Sequence, residues 1–253
     1  MRLPLDHVGI YGSDIHALRR AFIRLGFKVS EPVKLQAGTG DQEGEQLSAH
    51  IMFPNSYIEL TSLRQGPEGH HLAAFANQVD AVRILVLACE DANAERHRLV
   101  SAGLRVSPVF DASRPLEHKA GLEAHFRWFS LQSPALRGTL TAWVEHRSRA
   151  DVFHPSLTAH PNSATGIFGL KTPHSEWPEP LMGAQSGTDL ELRPDSGSDV
   201  SITGLTIGVK RMADCTAVLE HNGVAWQKPR STVRIETPPI PGMSLEFSEW
   251  TPS

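Results

Sequence analysis

One pattern occurs twice in the amino-acid sequence, and the two copies lie 77 residues apart. Asp14 and Asp91 each follow an apolar run, and Gly26 and Gly103 each follow a helix-like stretch; 91 − 14 and 103 − 26 both equal 77. An Asp caps the start of a helix, and a Gly in the left-handed conformation ends one. Each copy therefore predicts a strand, a capped helix and further strands, which constrains the chain to a duplicated fold.

The order predicted for each copy is βαβββ. In the first copy the helix covers about residues 15–25, and the strands cover about residues 5–11, 29–35, 46–53 and 57–63. In the second copy the helix covers about residues 91–102, and the strands cover about residues 81–89, 104–110, 124–131 and 140–146. The intervening residues 111–122 are predicted to be a loop.

Two fainter copies follow in the second half. Residues 162–169 match the first strand at an offset near 157, and residues 203–209 match it at an offset of 197. The sequence therefore predicts an α+β fold of repeated βαβββ modules, paired into curved mixed sheets, with four modules of which the last two are degenerate. We expect residues 1–147 to form the first pair with the candidate site, residues 148–162 a linker, and residues 163–253 the second pair.

Composition narrows the class of protein. The chain has 253 residues and a net charge of −4, which gives no basic footprint for nucleic acid. No apolar stretch approaches the roughly 18 residues of a membrane helix, and the first strand pattern leaves no room for a signal peptide. Cys89 and Cys215 are expected to be reduced in a cytoplasmic protein. A small molecule is the expected partner, and a homodimer stays an open alternative.

Strand alternation places candidate chemistry on one face of the first module. Val8 and Ile58 belong to the apolar faces that the helix should cover. Neighbouring strand residues point to opposite faces, so His7 and Glu59 should lie together on the uncovered face. The same reasoning in the second module places Val144 under its helix.

The uncovered faces of two joined modules would form a trough. The alternation then predicts that Glu145 and Ile84 point into it beside His7 and Glu59. One imidazole and two carboxylates are a plausible set for Zn, Ni, Mn, Co or Fe(II), and Glu59 or Glu145 could serve as a general base. A lone strand His is more often structural, and Ile84 would supply no ligand, so the sequence leaves the presence of a metal open.

These residues resemble the vicinal oxygen chelate superfamily, which includes glyoxalases, bleomycin-resistance proteins and extradiol dioxygenases, and in particular its glyoxalase-like branch. Residues 5–10 resemble its first strand, residues 56–60 resemble its last, and Glu145-His146 with residues 160–162 resembles a signature of longer members. The resemblance implies paired βαβββ modules around a metal-holding trough.

By this match, His7, Glu59 and Glu145 would be the metal ligands, and Ile84 departs from the pattern. In the second pair, Ala164 and Gly204 take the place of His7, and only Glu246 matches a ligand. The resemblance thus implies that residues 160–253 are a structural pair without a metal.

The sequence favours a metal-dependent lyase or isomerase acting on a small oxygenated substrate. The alternatives are a non-catalytic small-molecule binding or sequestering protein and, third, an extradiol-type dioxygenase. The candidate substrate contacts are Tyr57, Arg127, His50 and His125. His146 and His160 are interpreted as satisfied structural residues, with a ligand role as the lesser alternative.

Overall fold

The computed structural model of the chain describes residues 5–37, 45–64, 70–76, 78–133, 138–172, 191–194, 202–229 and 231–250. Among these residues, no helix is long and apolar enough to cross a membrane.

The first half contains both predicted modules. The first module consists of β1 (Leu5–Tyr11), α1 (Ile15–Arg24), β2 (Val33–Lys34), β3 (Gln46–Met52) and β4 (Tyr57–Leu63). The second consists of β5 (Ala81–Ala88), α2 (Ala92–Ser101), β6 (Phe110–Pro115), β7 (Glu123–Ser130) and β8 (Leu140–His146).

The helix ends follow the sequence signals. Asp14 accepts hydrogen bonds from two backbone N–H groups of α1, and Asp91 does the same for α2. These carboxylates satisfy donors that the first turn of a helix leaves open. Gly26 and Gly103 follow the helices with φ of 85° and 84°, a conformation that costs a residue with a Cβ atom more than it costs Gly.

The prediction of a strand at 104–110 and a loop at 111–122 was wrong. Strand β6 instead covers Phe110–Pro115 and pairs with β7. Its sequence contains no Val, Ile, Tyr or Trp, so the usual strand propensity is weak and the pairing with β7 decides the conformation.

The two modules share one sheet of eight strands in the order β2-β3-β4-β1-β5-β8-β7-β6. Strand β1 is parallel to β4 and antiparallel to β5, and β5 is parallel to β8. The second module therefore repeats the pairing of the first in mirrored order along the sheet, and the modules meet at β1 and β5.

The segment that follows β8 packs back onto the first module. It contains α3 (Arg149–Val152) and a 3₁₀ turn at Pro155–Leu157; a similar turn covers Ala73–Phe75. Asn162 donates through its side-chain amide to the Leu25 carbonyl and through its backbone N–H to that of Gly26. The division into domains at residues 148–162 stays a prediction.

The second half repeats the pairing with fewer strands. It contains β9 (Ala164–Thr172), β10 (Glu191–Pro194), β11 (Gly204–Val209), α4 (Met212–His221), β12 (Trp226–Gln227), β13 (Thr232–Ile235) and β14 (Ser244–Glu249). Within the described residues they form a six-stranded sheet in the order β10-β9-β11-β14-β13-β12. Strand β9 is parallel to β10, β11 is parallel to β14, and β9 and β11 are antiparallel, as in the first sheet. The predicted α+β class of repeated modules is confirmed.

Two apolar clusters organise the molecule. The larger contains the helix-covered faces of both sheets, and the stacked rings of Phe27 and Phe247, 5.9 Å apart, join the two halves within it. The smaller lies on the uncovered face of the first sheet and includes Tyr57, Ile84 and Phe126. This second cluster forms the floor and walls of a trough.

Candidate functional site

A cavity opens on the uncovered face of the first sheet, with about 670 Å³ of empty space including its mouth. Side chains from β1, β3, β4, β5, β6, β7 and β8 line it. Most of the lining is apolar, and the polar or charged side chains are His7, Gln46, His50, Tyr57, Glu59, His71 and Arg114. A largely apolar cavity with a few polar groups is typical of a small-molecule site.

His7 and Glu59 face this cavity together. Their side chains approach to 3.8 Å between His7 Nε2 and Glu59 Oε2. The prediction that both lie on the uncovered face of one sheet is confirmed by their position. Alternation could locate them because Val8, Ile10, Ile58 and Leu60 are all fully buried under the helix side.

Asp6, the residue before His7, holds the His7 ring through its Nδ1 atom. A register shift in the pairing of β1 with β5 falls between Leu5 and His7. Asp6 Oδ1 lies 2.7 Å from His7 Nδ1, and Asp6 Oδ2 lies 2.7 Å from His146 Nε2. Asp6 is completely buried, so one carboxylate joins two imidazoles out of contact with solvent.

The charge state of Asp6 fixes the tautomer of His7. Burial raises the pKa of the Asp6 carboxyl, but the charges and hydrogen bonds of His146 and His7 more than offset this and lower the pKa far below its usual range. An ionised carboxylate only accepts hydrogen bonds, so His7 must donate from Nδ1. The lone pair of neutral His7 is then on Nε2, on the side of Glu59.

Glu59 is also held by its neighbours. Ser48 donates to Glu59 Oε1 at 2.5 Å, and both side chains are buried. The second oxygen, Oε2, is the one that lies near His7. The carboxylate therefore has one oxygen fixed by the sheet and one oxygen available at the cavity.

Tyr57 and His50 reach the cavity, as the sequence predicted. The Tyr57 ring stacks on His7 with centroids 4.2 Å apart. Burial raises the pKa of Tyr57 well above its usual value, and the charges of Asp6 and Glu59 add to this, so the phenol keeps its proton. Burial and the charge of Arg114 lower the pKa of His50, which favours its neutral form.

Arg114 is the cavity residue that sequence reasoning missed. It lies on β6, in the stretch predicted to be a loop, and its exposed fraction is 3%. Its guanidinium lies 5.8 Å from the centre of the Phe126 ring. The signal available in the sequence was the alternation of Phe110, Ala112 and Arg114 before Pro115, which is short and contains no strong strand former.

Glu145 does not join His7 and Glu59, so the prediction that it points into the trough was wrong. Val144, not Glu145, lines the cavity. Glu145 Oε2 accepts a hydrogen bond of 2.9 Å from the Ala92 N–H at the start of α2, and Oε1 lies 2.9 Å from Arg147 Nη1. Glu145 therefore caps a helix on the opposite face of the sheet. A matching contact joins Glu249 to the Met212 N–H of α4 at 2.8 Å.

Strand register explains the error. Glu59 pairs with Gly9 across β1 and β4, two residues beyond the pair of His7 with Tyr57. The corresponding pairs across β5 and β8 are Ile84 with Leu140 and Val86 with Ala142. The structural equivalent of Glu59 in the second module is therefore Ala142. The triplets Tyr57-Ile58-Glu59 and Trp143-Val144-Glu145 are similar in sequence but occupy different positions in the fold.

Arg127 and His125 also lie away from the cavity. On β7 the cavity-lining residues are Phe126 and Trp128. Side chains alternate along a strand, so Arg127 and His125 point to the other face. Arg127 lies 3.5 Å from Glu145 Oε2, and His125 is exposed. Their prediction as substrate contacts is therefore contradicted by their position.

His146 and His160 have different surroundings. His160 accepts a hydrogen bond from the Lys28 N–H at Nδ1, and its Nε2 lies 2.9 Å from the Met52 carbonyl oxygen. Burial lowers the pKa of His160 to about 4, so it is a neutral structural residue. His146 contacts Asp6, which makes it part of the support of His7.

The side chains present do not fit a resident divalent metal. A catalytic metal ion usually takes about three protein ligands. Of the four equivalent trough positions, His7 and Glu59 carry donor atoms, whereas Ile84 and Ala142 carry only hydrocarbon. Throughout the described part of the chain, no group of three or more His, Cys, Asp or Glu side chains is placed to share an ion.

The uncovered face of the second sheet is occupied by its own side chains. The Trp250 ring lies over Gly166 and Gly208, and a Cβ atom at Gly208 would come within 2.2 Å of it. Glu246, the one ligand-like residue, lies 2.8 Å from Lys171 Nζ and 2.6 Å from Arg234 Nη2. Burial raises the pKa of Glu246, but these two cations more than offset it and lower the pKa.

Several solved structures share this architecture. A variant of 4-hydroxymandelate synthase from Streptomyces coelicolor is 12% identical, with a TM-score of 0.63 over 99% of this chain and 95% of that one. A hypothetical protein from Staphylococcus aureus is 13% identical, with a TM-score of 0.66 over 97% and 99%. A catechol 2,3-dioxygenase is 12% identical, with a TM-score of 0.60 over 100% and 94%. At these identities the likeness shows the fold alone.

Comparison of the sequence with family models assigns the chain to a family. No curated protein is significantly similar to the chain. The family model described as a glyoxalase-like domain matches residues 5–180, which is more than half of the chain and includes the whole first sheet. The chain belongs to the glyoxalase-like domain family of the vicinal oxygen chelate superfamily.

Proposed function

We propose that the chain is a lyase or isomerase that moves a proton on a small oxygenated substrate, with His7 and Glu59 as its acid–base pair. The observation that carries the proposal is the orientation of His7. Its Nδ1 is held 2.7 Å from Asp6, and its Nε2 lies 3.8 Å from Glu59 inside the cavity. A base whose orientation is fixed by a buried carboxylate is well suited to proton transfer.

In the isomerase form of the reaction, His7 Nε2 removes a proton from a carbon next to a carbonyl group. The electron pair of the broken C–H bond moves onto the carbonyl oxygen as an enolate. Asp6 stabilises the imidazolium that forms, because its negative charge is already in place beside Nδ1. The proton then returns to a different atom or face of the substrate, directly or through Glu59. The protons balance without an oxidant or reductant.

The metal-dependent form of this chemistry receives less support, since Ile84 and Ala142 offer no donor atom. The same lack weighs against an extradiol-type dioxygenase, which would also need a metal held by several protein ligands. A sequestering protein without catalysis is the second candidate. The apolar floor made by Ile84, Val86, Ala142 and Val144 favours it, because such a surface binds without reacting.

Deuterium exchange separates the two candidates. The protein is incubated in D₂O with a panel of small oxo and hydroxy compounds, and incorporation of deuterium at carbon is followed by NMR. We expect exchange by the wild type, and a loss of at least about 100-fold in His7→Gln and in Glu59→Gln. Glu145→Gln is the matched carboxylate control and should keep the exchange.

Two results of the exchange experiment would contradict the proposed reaction. Ligand binding by the wild type without exchange of any compound would favour the sequestering protein. Equal exchange by wild type and His7→Gln would remove His7 from the mechanism.

A further inference from the structure

Arg114 is a buried cation whose charge no neighbouring carboxylate matches. In the described part of the chain, no carboxylate oxygen lies within 4.0 Å of its guanidinium, whereas Arg127, Arg147 and Arg234 each have at least one. Its hydrogen bond to the Pro115 carbonyl is 3.5 Å long, at the limit for such a bond. A buried guanidinium that no carboxylate neutralises destabilises the folded chain, and a bound anion would offset that cost.

Glu117, a carboxylate on which the charge of Arg114 acts, is directed elsewhere. Glu117 Oε1 lies 3.5 Å from His50 Nδ1. The charge of Arg114 still acts on Glu117 from a greater distance and helps to lower its pKa, against the effect of burial. This long-range attraction does not fill the hydrogen-bonding fork of the guanidinium.

Further polar groups line the same cavity. His50 Nδ1 is buried, and its 3.5 Å contact with Glu117 does not have the geometry of a hydrogen bond. Arg114, His50 and Tyr57 line the same cavity, and the ring centroids of His50 and Tyr57 lie 5.7 Å apart. Tyr57 retains its phenolic proton and can donate it. The cavity thus offers one cation and two polar groups at one place, with His7 and Glu59 lining the same space.

We propose that Arg114 binds a carboxylate group of the substrate, so that the cavity selects small monoanionic organic acids. The planar fork of Arg matches the two oxygens of a carboxylate. Arg114 is the one Lys or Arg among the lining residues that the structure describes, which suits a single negative charge. A phosphate dianion would need more positive charge than this one guanidinium supplies.

This inference rests on the proposed function, because it takes the bound molecule to be the substrate. It also narrows the chemical class of that substrate. An acid held by Arg114 places the rest of its carbon chain in the space that His7 and Glu59 also line. A 2-oxo or 2-hydroxy acid carries both features. It has a carboxylate, and it has a C–H bond next to a carbonyl group, at C3 beside the 2-oxo group or at C2 beside the carboxyl group. The apolar lining provided by Phe126, Ile84 and Val86 would then contact its hydrocarbon part.

The test compares matched acids and amides. The probes are 2-oxo and 2-hydroxy acids of about three to six carbons, the neutral amide of each, and inorganic phosphate, with binding measured by calorimetry and ligand-observed NMR. We expect the wild type to bind at least one acid about tenfold or more tightly than its amide. Arg114→Gln should lose that preference, while Arg127→Gln, which removes a cation on the other face of the sheet, should keep it.

A second variant separates the loss of the guanidinium fork from a general effect of misfolding. Arg114→Lys retains the charge but not the fork, and we expect it to weaken the preference for acids only in part. The proposal is overturned if no acid in the panel binds, if acids and amides bind equally, if phosphate binds more tightly than every acid, or if the preference survives in Arg114→Gln. If the acid preference depends on Arg114 but no proton exchange occurs, the proposed reaction fails and the carboxylate site stands.

Discussion

Asp6 and His146, 140 residues apart in sequence, meet with 2.7 Å between Asp6 Oδ2 and His146 Nε2. The contact ties the first strand of one module to the last strand of the other. His146 packs against Phe126 and Phe153, with ring centroids 5.3 Å away in both cases, and its Nδ1 is buried without a hydrogen-bond partner. The orientation of His7 thus depends on a residue outside the cavity lining.

Replacing His146 should therefore alter catalysis without altering substrate contacts. We expect His146→Gln to lower the rate of proton exchange by roughly 10- to 100-fold, the usual effect of losing the outer support of a functional His. The substrate affinity should change little, and the pH profile of the rate should shift, because Asp6 loses a partner. The exposed His125→Gln is the matched control. An unchanged rate and pH profile would show that His146 is only structural.

Asp6 should make the protein sensitive to acid. The pKa of the folded-state Asp6 carboxyl is far below its unfolded value, since the effects of His146 and His7 exceed that of burial. A lowered folded pKa contributes stability that is fully present above the unfolded value, near 4, and is lost as the pH falls towards the folded value. Between about pH 5 and pH 2, the free energy of unfolding should therefore fall less steeply in Asp6→Asn than in wild type.

The comparison uses denaturant titrations of both proteins at several pH values. At pH 7 we expect Asp6→Asn to be destabilised by about 1–3 kcal/mol, because it weakens two buried hydrogen bonds. Parallel curves for the two proteins across the acid range would contradict the assignment of Asp6 as the ionised partner of both imidazoles.

Glu145 should affect stability and not catalysis. Its carboxylate caps the start of α2, and Glu249 does the same for α4. We expect Glu145→Gln to lower the free energy of unfolding by about 0.5–2 kcal/mol, within the range for a lost helix cap. Glu249→Gln should have a similar effect, which makes it the matched control. Loss of proton exchange in a folded Glu145→Gln protein would contradict the position described for Glu145.

The two hydrocarbon positions of the trough can be tested by restoring donors. We expect the wild type to retain no stoichiometric Zn, Ni, Mn, Co or Fe(II) after dialysis against a mild chelator. The double change Ile84→His and Ala142→Glu would bring the number of donors to four, and should create a site that retains metal. Adding His7→Ala to it should weaken that binding. Elemental analysis is the measurement, with circular dichroism as the folding control. Stoichiometric metal in the wild type would contradict the conclusion that the trough side chains do not fit a resident divalent metal.

The sequence could predict whatever depends on local pattern. Alternation located His7 and Glu59 because Val8 and Ile10 mark the covered face of the first strand, and Ile58 and Leu60 mark that of the last. The same reasoning failed at Glu145, since both Trp143 and Val144 are apolar and either could face the helix. The choice is made by the register of β5 with β8, which pairs residues some 56 positions apart, as for Ile84 and Leu140.

Arg114 could not be found by the same means. Its strand is formed by pairing with β7 rather than by its own residues, so only the assembled sheet turns the side chain into the cavity. Arg127 was the more conspicuous candidate in sequence, but it pairs with Glu145 on the other face. In both cases, long-range strand pairing determined which face a charged residue occupies.

The ring of Trp250 over Gly166 and Gly208 has a consequence for binding stoichiometry. Four modules arranged as two sheets would, by simple duplication, give two equivalent ligand sites in each chain. In the second sheet this ring takes the space above the two glycines, and the Glu246 carboxylate is already paired with Lys171 and Arg234. In the part of the chain that the structure describes, the first sheet therefore has an open cavity, whereas the ring of Trp250 covers the corresponding face of the second. We expect a saturated chain to carry a single ligand molecule.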